Sequence, residues 1–98
     1  MTSPIKISVW NANGLVHHKL ELDQFLSRLD IDIMLVSETD FTNQSFMRFH
    51  NYEMYPTNHL AGTARGGTAV LIKKSIKHEL QSEYKTEHIQ STTVSIKF

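Results

Sequence analysis

The sequence predicts a mixed α/β chain, one βαβ unit followed by further strands. Three observations predict it: an apolar run of period two at the start, one helical stripe after it, and short wholly apolar runs downstream. Ile5, Ile7 and Val9 alternate with Lys6, Ser8 and Trp10, as the two faces of a strand require. Asn11-Ala12-Asn13-Gly14 then breaks the run with turn residues. From Lys19 to Leu29 the period changes, and Leu22, Phe25, Leu26 and Leu29 form one apolar helical stripe. Glu21 and Asp23 sit near its start, where the helix dipole favours negative charge, but no residue stands out as an N-cap. Ile31 to Ser37 contains Ile33-Met34-Leu35-Val36, apolar on both faces, which predicts a short, fully buried strand of a parallel sheet.

Further along, Asn51 to Tyr55 reads as a short strand and Pro56 to Gly66 as a polar loop. Gly67 to Lys73 carries Thr68-Ala69-Val70-Leu71-Ile72, another buried strand, and Lys77 to Glu87 reads as a polar connector. Thr92, Val94, Ile96 and Phe98 alternate with Thr93, Ser95 and Lys97 in a last strand that runs to the final residue. Domains usually end in a few solvated residues. Residues 1–98 are therefore expected to be the N-terminal portion of a single domain, cut after residue 98.

Composition narrows the function classes. At 98 residues, 40% apolar and 20% charged, the chain is one globular domain at most and not a disordered tail. Ten Lys/Arg against ten Asp/Glu give no net charge, which disfavours a strongly basic, free-standing nucleic-acid binder. With no Cys there are no disulfides, thiolate zinc sites or Cys nucleophiles. No apolar run approaches a membrane span and no signal peptide opens the chain, so an intracellular protein without a membrane partner is expected.

Charge is nonetheless uneven. Residues 20–40 hold Glu21, Asp23, Asp30, Asp32, Glu38 and Asp40 against Arg28 alone, whereas residues 54–78 hold no acid but carry Arg65, Lys73, Lys74 and Lys77. Two solvated faces account for this, as does an acidic metal pocket beside a basic strip that tracks a phosphate backbone. A βαβ unit brings the carboxyl ends of its strands to one sheet edge, where open α/β sheets bind ligands. That edge receives Asn11 and Asn13 from the first strand and Glu38 from the second. A carboxylate with amide carbonyls is the hard-oxygen set that Mg²⁺ accepts, with Mn²⁺ as an alternative. Turn-forming Asn residues and a solvated strand-end Glu would give the same spacing.

Three blocks carry a family resemblance: Trp10-Asn11-Ala12-Asn13-Gly14-Leu15, Ser37-Glu38-Thr39, and Gly66-Gly67-Thr68-Ala69-Val70-Leu71-Ile72. In this order they resemble the endonuclease/exonuclease/phosphatase superfamily, and in particular the apurinic-like endonuclease domain of LINE-type, jockey-like retrotransposons. The resemblance runs from about Ile5 to Phe98. It implies the N-terminal half of a four-layer αββα sandwich, with Glu38 as a principal Mg²⁺ ligand and Asn11 and Asn13 lining the metal and phosphate site. Asn13 stands where repair relatives often have Asp. Gly66 and Gly67 are read as structural.

A complete member of that family is considerably longer. The resemblance places a catalytic Tyr, a Gly-Asp-x-Asn segment and a Ser-Asp-His end in the missing C-terminal half of the domain, and there is no Asp beyond Asp40. His78 and His88, in or beside the polar connector, are read as solvated. Residues Gly62 to Thr68 lack the Gly-Lys-Ser/Thr ending of a phosphate loop. Adjacent His17 and His18 would point apart, which spoils shared metal binding. The implied function is a fragment of a Mg²⁺-dependent endonuclease that nicks target DNA to prime reverse transcription, in a nuclear setting, and inactive alone. The alternatives are a repair nuclease, a phosphatase of inositol lipids or sphingomyelin, or a non-catalytic relic.

Overall fold

Two parallel strands joined by a helix open the fold in the computed structural model, which describes residues 4–97. Strand β1 (Ile7–Asn11) pairs in parallel with β2 (Ile33–Ser37), from Ile7 opposite Ile33 to Asn11 opposite Ser37. Helix α1 (Lys19–Leu29) connects them, with the bounds its apolar period predicts. A 3-10 turn, Leu15–His18, leads into it. That turn explains the absent N-cap signal: His18 occupies the position without a side-chain cap, and its Nδ1 lies 3.3 Å from Glu21 Oε1 instead. Asp30 ends the helix in the left-handed region, which short polar residues tolerate, and its N–H donates to Leu26 C=O.

Strand β4 (Thr68–Lys73) pairs antiparallel with β2, and β3 (Tyr52–Thr57) pairs antiparallel with β4, giving the order β1-β2-β4-β3. β3 runs two residues beyond its expected end, through Pro56. An edge strand can accept a residue without an N–H, and β3 is that edge. The chain closes with an antiparallel hairpin of β5 (His78–Lys85) and β6 (Gln90–Ile96). The polar connector expected at 77–87 is thus corrected to a strand. Its sequence shows no apolar alternation because nearly all of β5 faces solvent, and only pairing with β6 specifies it. Phe98, the expected end of the last strand, lies outside the described residues.

One face of the sheet packs on α1 and the 41–49 loop through Leu22, Leu26, Met34, Val36, Phe41, Phe49, Ala69 and Leu71. On the other face Ile33, Val70 and Ile72 meet Val94 and Ile96 of the hairpin. The hairpin covers only the β3–β4 side. Ile7 and Val9 remain 57% and 74% exposed and Leu35 is also open, so β2 is not the fully buried strand its sequence predicts. A contiguous apolar strip of this kind is unusual on a self-sufficient monomer.

The end of the sheet opposite the strands' carboxyl ends is closed by charge. Lys73 reaches both Asp30 and Asp32, the latter at 3.2 Å, and Asp32 Oδ2 also accepts the Lys6 N–H at 2.8 Å. The hydrogen bond from Lys73, then its charge, holds the Asp30 carboxyl below its ordinary value of 3.8, and the bond to Asp30 raises Lys73 above 10.5. A lowered carboxylate stabilises above its unfolded value and is lost as pH falls through the folded one. A raised lysine stabilises below its unfolded value and is lost as pH rises through the folded one. We therefore expect Lys73→Met to lower the urea midpoint by a constant amount across neutral pH. The gap to the parent should close as pH falls below 3.8. A gap unchanged at low pH would show that Lys73 acts by packing alone.

Candidate functional site

Register places the site. Asn11 lies opposite Ser37, Ser37 opposite Thr68, and Thr68 opposite Thr57, so the carboxyl ends of β1, β2 and β3 share one edge. The backbone continues the pairing past the strands. Ala12 N–H donates to Ser37 C=O at 2.8 Å, Gly14 N–H to Glu38 C=O at 2.9 Å, and Leu15 N–H to Thr39 C=O at 2.9 Å. Asn13 and Glu38 are thereby zipped side by side.

Their exposure separates them from the core. Ala12, Gly14, Leu15 and Thr39 are buried, whereas Asn11, Asn13 and Glu38 are exposed. Asn13, Gly14, Glu38 and Asp40 all have positive φ, at 46°, 98°, 52° and 54°. Non-glycine residues in that region cluster where function or a tight turn demands it. Asn11 Oδ1 accepts the Asn13 N–H at 3.2 Å, so the first polar side chain shapes the turn that presents the second. Glu38 forms no ion pair among the described residues.

Not all the acids converge here. Asp30 and Asp32 sit at the opposite end with Lys73, and Asp23 pairs with Lys19 at 2.6 Å. Among the described residues no three His, Cys, Asp or Glu side chains form a metal-holding group. The edge instead offers one open carboxylate, two exposed amides and, behind them, Asp40, which the sequence reading placed only in the acidic run. A Cβ on Gly14 would stand 3.7 Å from Asp40 Oδ2 and 3.6 Å from the His17 ring. A single carboxylate with neutral oxygens suits Mg²⁺, which keeps several waters and leans on substrate phosphate. The donor set fits.

The glycine-rich block backs this edge. Gly66 C=O accepts the Asp40 N–H at 2.8 Å, and Gly67 C=O accepts the Thr39 N–H at 3.4 Å. Gly67 N–H donates to Gln90 Oε1 at 3.1 Å, which ties the edge to the hairpin. Both glycines make backbone contacts, as their structural reading expects. His78 departs from its solvated reading: it is half-buried, 2.8 Å from the Tyr55 hydroxyl and edge-on to that ring. His88 is exposed on the hairpin turn. Trp10 packs against the core, edge-on to His18. No helix among the described residues is long and apolar enough to cross a membrane.

Comparison with known proteins gives these features a context. A model of the Endonuclease/Exonuclease/phosphatase family matches residues 8–98. The RNA-directed DNA polymerase from mobile element jockey of Drosophila melanogaster is 39% identical over 97 residues, 98% of this chain and 11% of that protein. Its counterpart from Drosophila funebris is 35% identical over the same shares. The probable RNA-directed DNA polymerase from transposon BS of Drosophila melanogaster is 30% identical over 96% of this chain and 11% of its own length. The chain thus spans 11% of the length of these curated relatives. Among solved structures, the catalytic domain of Xenopus laevis APE2 superposes with a TM-score of 0.62 at 27% identity, covering 76% of this chain and 26% of that one. An AP endonuclease from Archaeoglobus fulgidus gives 0.68 at 20% identity, covering 82% and 31%.

Proposed function

The chain belongs to the endonuclease/exonuclease/phosphatase family, and from that premise we propose that it is the metal-binding edge of a Mg²⁺-dependent endonuclease. In this reading it works inside a longer, mobile-element polypeptide in the nucleus, nicking target DNA so that reverse transcription can start. One observation carries the proposal: Glu38 and Asn13, distant in sequence, stand exposed side by side at the carboxyl edge of parallel strands. Jockey-type relatives and Asn at position 13 favour this branch over repair nucleases and phosphatases.

Glu38 would hold Mg²⁺ with Asn13 as a neutral oxygen donor, Mn²⁺ being a substitute. The ion supplies polarisation of a phosphoryl oxygen and neutralises charge on the leaving oxygen. Asn11, its Oδ1 engaged by Asn13, retains amide N–H groups that can orient a phosphate oxygen. Water attacks phosphorus, the bond to the 3′ oxygen breaks, and a 3′-hydroxyl is left for a polymerase to extend. The base that takes the water's proton, and the cation over the non-bridging oxygens, belong in this reading to a further segment of the polypeptide. Plasmid relaxation tests the function: the longer polypeptide should nick supercoiled DNA in Mg²⁺ and stop when EDTA removes the metal. Release of phosphate from a phosphoinositide with the plasmid untouched would place the protein in the phosphatase branch. Inactivity on both would favour a relic.

The same further segment has a place to pack, the open strip of Ile7, Val9 and Leu35. The chain alone should therefore self-associate and light up a hydrophobic dye. Val9→Lys with Leu35→Lys should reduce both effects without lowering the melting temperature. A parent chain that stays monomeric at high concentration and leaves the dye dark would overturn this part.

A further inference from the structure

His59 and Arg65, on the loop joining β3 to β4, form a cluster that the proposed chemistry does not use. His59 is 6% exposed. Its Nδ1 accepts the Ala61 N–H at 3.1 Å, and its Nε2 lies 3.1 Å from the Glu87 C=O in the hairpin turn. A backbone N–H can only donate, so Nδ1 carries no proton; the ring proton sits on Nε2 and serves Glu87. Arg65 brings Nε to 3.3 Å and a terminal nitrogen to 3.1 Å of that same Nε2. A guanidinium has only donors, and Nε2 has no lone pair left for it.

Arg65 thus lies against the His59 ring without a hydrogen bond from it and without being neutralised. It forms no ion pair among the described residues, and residues 54–78 contain no acid. Its place is equally defined. The next residue, Gly66, accepts hydrogen bonds from Asp40 N–H at 2.8 Å and Thr39 Oγ1 at 3.4 Å. Chains paired this way run about 5 Å apart, so Arg65 stands on the Glu38 edge, a short step along it.

We propose that Arg65 binds a backbone phosphate of the nucleic-acid strand, flanking the phosphodiester seated at Glu38, and that His59 is the positioning residue for its loop. The inference rests on the nuclease reading. A planar fork of donors suits two phosphate oxygens at once, which a lysine cannot match. A strand supplies phosphates at regular intervals, so one strand can meet both positions.

The test is binding of the full chain to a short labelled DNA duplex in EDTA across a salt series. For Arg65→Gln, whose native side chain is exposed, the slope of log affinity against log salt should shrink by about 1 for any duplex sequence. Arg65→Lys should restore the slope but not all of the affinity. His59→Ala should weaken binding, and the double variant should be no weaker than Arg65→Gln alone, since coupled positions do not add. Additive losses would reduce His59 to a structural residue. An unchanged slope in Arg65→Gln, with the parent binding DNA, would sink the inference and leave the nuclease reading standing. A parent that binds no duplex even at low salt would sink the inference, while plasmid nicking by the longer polypeptide decides the nuclease reading separately. Leu60 is exposed in the same loop, so vesicles of anionic lipid are the counter-probe; Arg65-dependent binding to them and not to DNA would overturn the assignment.

Discussion

Glu38→Gln is expected to abolish plasmid nicking by the longer polypeptide while leaving the fold intact. The substitution keeps shape and length but removes the one open carboxylate at the carboxyl edge. Glu38 is exposed and its side chain forms no ion pair among the described residues, so folding loses little. Its positive φ of 52° is a feature that Gln inherits unchanged. The chemistry loses much more. Metal stabilisation of transition-state charge is worth several kcal/mol, and each 1.36 kcal/mol is tenfold in rate, so a loss of about 10³-fold or more follows. Excess Mg²⁺ should recover part of it, because a weakened site fills at higher concentration. Nicking within tenfold of the parent, at an unchanged melting temperature, would remove Glu38 from the reaction.

The sequence made some of this legible for reasons that can be named. Helix α1 could be read to its bounds because Leu22 and Leu26 must meet a core and no Gly or Pro interrupts them. Asn13 and Glu38 could be paired because a parallel crossover sends both strand ends the same way, whatever the intervening sequence. Strand β5 could not be read: its specification is a partner strand, and a solvated hairpin needs no apolar alternation. Nor could the acidic run be sorted. Asp30 and Asp32 belong to the start of β2 and Glu38 to its end, so one strand's length separates charges that look continuous in sequence. The His59–Arg65 pair was hidden for another reason. Its meaning depends on which ring nitrogen carries the proton, and that is set by contacts to Ala61 and to Glu87, on the hairpin.

Gly67→Ala should be the more damaging of two substitutions that look alike. Gly67 has φ of +85°, and a Cβ there would meet Thr39 Oγ1 at 2.8 Å and the Thr57 carbonyl at 3.1 Å. Thr39 is fully buried and its hydroxyl donates to Gly66 C=O, so it cannot swing aside without giving up that bond. The left-handed backbone costs alanine about 1–2 kcal/mol, and overpacking adds about 1–3. A total of roughly 2–5 kcal/mol is a large part of the 5–15 kcal/mol that typically holds a domain together. In a domain this small it lowers the melting temperature by about 8–40 °C. Gly66 has a φ of +63°, but its Cβ would press only on Gln90 Oε1, the end of a flexible side chain, at 2.8 Å, with the His59 ring at an ordinary 3.8 Å. Gly66→Ala therefore carries the backbone cost of about 1–2 kcal/mol and a weakened bond from Gly67 N–H to Gln90 Oε1, about 0.5–1.5 kcal/mol more. The consequence reaches the site, because Thr39 follows Glu38 directly and the added methyl presses the 38–40 segment away from β4. Below its melting temperature Gly67→Ala should still lose nicking by the longer polypeptide, whereas Gly66→Ala should keep most of it. Equal melting temperatures for the two variants would mean that the close approach of Gly67 to Thr39 does not exist in solution.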